Sequence, residues 1–279
     1  MKPVLALAAL LCVGCTQSFV LKESHLFLDR RMPGVTRTDV AVPLPDGGTL
    51  RGWHLQVAEP RATLIYCYGN GEAVYRASGY LFNWARAMKV NILCVDYRGY
   101  GFSDGKASLA ALREDVLRVF DATADLRAGR PTLVMGYSLG SLAASHLAAN
   151  RPVDGLALMS GASSFGEVVD GKVPTLLKPF VNVSVDPVLS QAVQPKAQVA
   201  TVKVPTLVAH GTKDEVLPVT CGDAFFAASP AAWKRYVRVK GAGHEGLSPL
   251  SGELKEAVEA WIQASGPGTT APGVARASR

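Results

Sequence analysis

Thr132-Leu133-Val134-Met135-Gly136-Tyr137-Ser138-Leu139-Gly140 is the stretch on which the fold turns. Four mostly apolar residues lead into Gly136-Tyr137-Ser138-Leu139-Gly140, and a helix-like stretch from Ser141 to Ala149 follows. A serine flanked by glycines between a buried strand and a helix is the G-x-S-x-G elbow. There the turn is so tight that only small residues fit beside the serine, and its hydroxyl projects at the carboxyl edge of the sheet. Ser138 is therefore the candidate nucleophile.

Outward from this strand the pattern repeats. Thr63 to Cys67, Asn91 to Val95, Leu156 to Met159, Thr206 to Ala209 and Tyr236 to Val239 are continuous apolar runs. Such runs, without polar alternation, mark strands covered on both faces. Between them lie segments with helical spacing, such as Leu112, Val116, Val119 and Phe120 within Leu109–Leu126. Strands alternating with helices predict a mostly parallel sheet with right-handed crossovers. Ahead of them, Val40, Val42 and Leu44 alternate, Asp46-Gly47-Gly48 turns the chain, and Leu50, Trp53, Leu55 and Val57 follow as a hairpin partner. The expectation is an α/β fold with eight strands and helices on both faces.

A serine hydroxyl needs a base to take its proton. Of the five histidines, His25, His54, His146 and His210 fall before the core, in the hairpin, inside the helix after Ser138, and at a strand end. Only His244 follows the last strand, in Gly241-Ala242-Gly243-His244-Glu245, and it is the candidate base. His146 and His210 read as packed or hydrogen-bonded structural histidines. The base in turn needs a carboxylate to orient it. Asp214 stands just past the strand Thr206–Ala209, giving the chain order serine, acid, histidine. Glu167 or Asp170 is the alternative acid, whereas Glu215 would point elsewhere and Asp223 reads as a helix-surface residue. Donors for a developing oxyanion are expected from the amides of Leu139 and of Asn70, within Tyr68-Gly69-Asn70-Gly71-Glu72.

Gly99-Tyr100-Gly101-Phe102-Ser103-Asp104-Gly105-Lys106 fails both phosphate-loop fingerprints, with Ala107 where a P-loop needs Ser or Thr. No nucleotide, metal or other cofactor is implied, since no Cys–His spacing matches a zinc site. The charge of +6, from 29 basic and 23 acidic residues, is scattered without the clustered footprint of a nucleic-acid binder. Hydrophobic residues at 48% against 19% charged exclude a mainly disordered chain. Five cysteines leave Cys67, Cys94 and Cys221 beyond the leader, an odd set in which Cys67 and Cys94 read as small buried hydrophobes.

The N-terminal residues 1–14 read as a signal peptide: Lys2 is the charged start and Val4 to Val13 an apolar stretch too short for a permanent span. Cys12-Val13-Gly14-Cys15-Thr16 resembles the lipobox of bacterial lipoproteins, with Cys15 as the lipidated residue and Cys12 in place of the usual Leu. That resemblance implies a lipid anchor in the cell envelope, on the outer membrane because Thr16 rather than Asp follows. A soluble periplasmic or secreted protein is the alternative. Residues 15–37 would then be a tether and amphipathic lead-in, 38–264 the main domain with a small cap near 165–190, and 265–279 a disordered tail.

Together, Tyr68 to Glu72, Asp96-Tyr97-Arg98-Gly99-Tyr100-Gly101-Phe102-Ser103-Asp104-Gly105, the Ser138 elbow, His210-Gly211 with Asp214, and Gly241 to His244 resemble the α/β-hydrolase superfamily. The resemblance is to the branch with an HGN-type oxyanion loop that contains depalmitoylase-like hydrolases. It implies cleavage of a small-molecule acyl ester or thioester, without metal or organic cofactor. An amide or peptide hydrolase, and a non-catalytic envelope lipoprotein using the fold for binding, are the alternatives. Tyr68 departs from the branch, which carries His before Gly69. Tyr97-Arg98-Gly99 is expected to organise the loop behind the site. No feature of the sequence sets the oligomeric state.

Overall fold

The computed structural model describes residues 32–164 and 194–266. The proposed leader, Cys15, the cap near 165–190 with Glu167 and Asp170, and the tail from residue 267 lie outside the described residues.

Eight strands form one sheet: β1 (Val35–Pro43), β2 (Thr49–Val57), β3 (Thr63–Cys67), β4 (Asn91–Val95), β5 (Thr132–Tyr137), β6 (Gly155–Met159), β7 (Thr206–Gly211) and β8 (Lys234–Val239). Their spatial order is β1-β2-β4-β3-β5-β6-β7-β8. β1 pairs antiparallel with β2, and β2 antiparallel with β4, while every later pairing is parallel. This is the mostly parallel eight-stranded sheet that the run pattern predicts, in the architecture that the α/β-hydrolase resemblance implies, with β5 in the middle.

Among the described residues the helices are α1 (Val74–Met88), α2 (Leu109–Ala122), α3 (Ala124–Arg127), α4 (Gly140–Asn150), α5 (Pro195–Val199), α6 (Thr220–Ala228) and α7 (Gly252–Ala264). They divide between the two faces of the sheet. One face packs Leu64, Ile92, Leu133 and Met135 under Leu81, Phe82 and Trp84 of α1 and Val258 and Trp261 of α7. The other packs Ile65, Leu93, Val134 and Leu156 under Val116 and Phe120 of α2, Leu147 of α4 and Phe225 of α6. Successive strand residues thus serve opposite layers, which is why the runs are unbroken. Each fully buried aliphatic side chain contributes about 1.5–3 kcal/mol relative to an exposed one.

Three boundaries differ from the sequence expectation. β1 begins at Val35, ahead of Thr38, because its first half is a largely exposed edge whose pattern carries no apolar alternation. The helix expected over Leu109–Leu126 breaks at Thr123, whose hydroxyl bonds back to the Val119 carbonyl at 2.6 Å and competes with the helical ladder. Ser265 and Gly266, expected in the tail, belong to the end of α7: Ser265 is its buried C-cap, its hydroxyl on the Trp261 carbonyl at 2.9 Å, and the Gly266 amide donates to Gln263.

At the carboxyl side of β6, the Lys196 amide at the start of α5 donates to the Ser163 carbonyl at 3.1 Å, so these two positions lie side by side. Among the described residues, no helix is long and apolar enough to cross a membrane.

Candidate active site

Ser138 sits between β5 and α4 at φ +51°, a left-handed conformation that costs a non-glycine residue on the order of 1 kcal/mol. The surroundings impose it. A Cβ at Gly140 would stand 1.9 Å from the Cys67 carbonyl oxygen, and one at Gly136 2.5 Å from the Gly140 carbonyl. The elbow is also tied to its neighbours. The Ser138 amide donates to the Met159 carbonyl at 3.0 Å. The Ser141 hydroxyl donates to the Ser138 carbonyl at 2.7 Å and accepts from the Ala162 amide at 3.2 Å.

Three loops at this edge bring the sequence-selected residues together. The Ser138 hydroxyl lies 2.9 Å from His244 Nε2, and His244 Nδ1 lies 2.8 Å from Asp214 Oδ2. The spacing lets the imidazole accept from the serine while donating to the carboxylate. Asp214 has no solvent exposure in its side chain and is surrounded by donors. Oδ1 accepts from the Val216 and Leu217 amides at 2.9 and 2.8 Å, and Oδ2 meets His210 Nε2 at 3.2 Å as well as His244. Burial alone would raise this carboxyl, but the bonds from His210, His244 and Leu217 outweigh it and hold the group well below the usual carboxylate range. The charged form of Asp214 is therefore favoured over the neutral one.

The loop of His244 is packed against the loop of Asp214: the Lys213 amide donates to the Ala242 carbonyl at 2.9 Å. It is also held from the nucleophile side, because the Tyr137 hydroxyl donates to the His244 carbonyl and the two rings meet edge-on at 5.9 Å.

On the opposite side of Ser138 lies the Tyr68–Glu72 loop. Gly69 brings it close: a Cβ there would be 3.3 Å from Ser138 Cβ. Leu139, the N-cap of α4, and Asn70 flank the serine in sequence and in this loop, and among the described residues neither amide is tied to a backbone acceptor. Behind them Tyr68 is fully buried, and Asp96 accepts from its hydroxyl. Burial pushes the Asp96 carboxyl up to about 6, against the pull of bonds from Phe102, Val74 and Tyr68. Arg98 grips Asp115 through two bonds, at 2.9 and 2.6 Å, which anchors the loop behind the site to α2.

The other histidines lie elsewhere. His146 Nδ1 meets Gln198 Nε2 at 2.8 Å between α4 and α5, and His54 is buried in β2. Asp223 pairs with Arg238 at 2.6 Å on the surface. Cys67, Cys94 and Cys221 are buried. Among the described residues, no group of three or more His, Cys, Asp or Glu is arranged to hold a metal ion.

Two participants escaped the sequence reading in part. His210, four residues before Asp214, reads as structural, yet its Nε2 faces two acceptors, Asp214 Oδ2 and the Leu217 carbonyl at 3.1 Å, and so must carry the proton. Tyr137, the variable residue of the elbow, gives no sign in sequence of reaching the base loop.

Comparison with known proteins agrees with this architecture. A family model described as Serine aminopeptidase, S33 matches residues 58–185. An uncharacterized protein of Mycobacterium tuberculosis is 32% identical over 222 residues, covering 77% of this chain and 75% of the relative. Alpha/beta hydrolase domain-containing protein 17B of Homo sapiens is 26% identical over 204 residues, covering 72% and 66%. Among solved structures, the esterase Pf2001 of Pyrococcus furiosus superposes with a TM-score of 0.61 at 17% identity, over 85% of this chain and 92% of that one. By fold, strand order and relatives alike, the chain belongs to the α/β-hydrolase superfamily.

Proposed function

We propose that this protein is a serine hydrolase that cleaves a carboxylic ester or thioester through an acyl-enzyme. The carrying observation is the continuous chain of contacts from Ser138 Oγ to His244 Nε2 at 2.9 Å and from His244 Nδ1 to Asp214 at 2.8 Å. In this reading His244 takes the Ser138 proton as Oγ attacks the acyl carbon, and the carbonyl electron pair moves onto oxygen. The amides of Leu139 and Asn70 stabilise that oxyanion, and Asp214 stabilises the imidazolium. His244 then returns the proton to the departing alcohol or thiol. Water, deprotonated by His244, attacks the acyl-serine, and the acid leaves as Ser138 is re-protonated.

Ester chemistry is favoured by the solved neighbours described as esterases, and the HGN-type branch by the Tyr68–Glu72 loop beside Ser138. A second reading, cleavage of an amide or peptide bond, has one specific support in the serine aminopeptidase description of the matching family model. We also propose export, with cleavage after residue 14 and lipidation at Cys15, on the strength of the leader sequence.

Labelling by a fluorophosphonate probe tests the mechanism. Wild type is expected to be labelled and Ser138→Ala not; a folded wild type that resists the probe overturns the reading. A matched set of p-nitrophenyl esters, acyl thioesters and aminoacyl anilides then separates ester from amide chemistry. Loss of palmitate incorporation in Cys15→Ala tests the anchor.

A further inference from the structure

Tyr68 is held from both ends. Its hydroxyl donates to Asp96 Oδ1 at 2.9 Å and accepts from the Tyr97 amide at 3.1 Å. Its carbonyl accepts from the Tyr97 hydroxyl at 2.8 Å, and the two rings lie 4.5 Å apart. The far end of the same loop is held by the same carboxylate, since the Val74 amide donates to Asp96 Oδ1 at 2.7 Å. Asp96 in turn is fixed by the Phe102 amide on Oδ2 at 3.0 Å. Between these two anchor points lie Gly69, Asn70 and Gly71, the residues beside Ser138, and the Tyr100 hydroxyl donates to the Asn70 side chain at 2.7 Å.

We propose that Tyr68, Asp96 and Tyr97 form a positioning unit that sets the place of the Asn70 amide relative to Ser138, so that its contribution is made in the transition state rather than in substrate binding. The proposal rests on the reading of Asn70 as an oxyanion donor. The physical ground is that such a donor acts only when preorganised, and a loop containing two glycines has no rigidity of its own. The tyrosine at position 68 supplies a phenol long enough to span from the loop to the buried carboxylate. Because one oxygen, Asp96 Oδ1, receives both the Tyr68 hydroxyl and the Val74 amide, the loop's two ends share a single fixed point. None of these side chains touches the reacting atoms, so their effect must pass through the loop.

The test compares wild type, Tyr68→Phe, Tyr97→Phe and the double variant of the full chain. It reads kcat and KM on p-nitrophenyl acetate, the rate of fluorophosphonate labelling, and affinity for phenylboronic acid. The boronic acid forms a tetrahedral adduct with the serine and places an oxygen where the oxyanion would sit. Each single variant is expected to lower kcat about tenfold or more, with KM changed less than about twofold. Boronate affinity should fall in step with kcat, a correlation that a general loss of stability does not produce. Tyr97→Phe keeps the Tyr68–Asp96 bond, and so carries the test if Tyr68→Phe does not fold. Folded variants that keep kcat and boronate affinity within twofold of wild type overturn the proposal while leaving the nucleophile reading intact. Failure of wild-type Ser138 to label overturns both.

Discussion

His210 Nε2 stands 3.2 Å from Asp214 Oδ2, the same oxygen that His244 Nδ1 meets at 2.8 Å. Two imidazoles therefore converge on one buried carboxylate, and with the Val216 and Leu217 amides they give it four N–H donors. In the proposed mechanism a carboxylate so saturated has no lone pair left to pull the proton off His244, and its part is to orient and to stabilise charge.

The first prediction concerns that fourth donor. Replacing His210 by Phe is expected to lower kcat about tenfold, because Asp214 Oδ2 is then free to shift and His244 with it. The lost buried hydrogen bond costs on the order of 1–3 kcal/mol of stability. His210→Gln, which keeps an N–H donor, should retain more of both. The carboxyl's depressed value contributes stability above the unfolded aspartate value near 4, and this is lost as pH falls through the folded value. His210→Phe raises the folded value, so acid unfolding should be less steep than in wild type. Equal kcat for the Phe and Gln variants would remove His210 from the account.

Tyr137→Phe tests the tie between nucleophile and base. Without the phenol that donates to the His244 carbonyl, the base loop loses its bond to β5. We expect about a tenfold fall in kcat with thermal stability changed little, since the ring and its edge contact remain. Unchanged turnover would show that the packing of Lys213 against Ala242 suffices to hold the loop.

Ser138 should be held at a cost that glycine would relieve. Ser138→Gly and Ser138→Ala both remove the proposed nucleophile, but only glycine accepts φ +51° without strain. Thermal unfolding should show the glycine variant more stable than the alanine variant by about 1 kcal/mol. The reverse order would mean that the entropy of the unfolded glycine chain outweighs the local strain.

Mild acid should weaken the fold through two histidines. Burial first, then the charges of Arg113 and Arg151, brings His146 down to about 4. Burial and then Arg130 lower His54, which has no hydrogen-bond partner on either ring nitrogen among the described residues. Below an unfolded value near 6.5 the unfolded chain takes up protons that the folded chain refuses, so stability is full above that pH and declines as pH falls towards 4. Asp96, raised to about 6, works the opposite way in the same window, so the histidine contribution is read by comparing the urea midpoints of wild type and variant at pH 7 and 4.5. Relative to wild type, His54→Leu with His146→Gln should gain stability, or lose less of it, as pH falls from 7 to 4.5.

Much of this molecule is legible from residues alone because single physical constraints act there. The doubly covered strands announce themselves as unbroken apolar runs. Ser138 stands out because only glycine fits at Gly136 and Gly140, and His244 because it alone follows the last strand. What escapes is orientation. Tyr137 and His210 are ordinary residues at a strand end until three-dimensional placement aims one at a carbonyl and the other at a carboxylate. Tyr68 is visible as a departure from the HGN pattern, but its partner, Asp96, lies on another strand's edge. Val35 escapes for the opposite reason: an exposed edge strand imposes no apolar rhythm on its sequence.

The bond from the Lys196 amide to the Ser163 carbonyl has an engineering meaning. Because it closes the neck of the interval between β6 and α5, the spacing of the sheet there is set by residues on either side of that interval. Exchange of sequence between these two positions is expected to leave the pairing of β6 with β7 in register, which circular dichroism and thermal unfolding of such variants would check. The loops around Ser138 are held by other bonds, from Asp96, Tyr137 and Lys213, and so do not depend on this one.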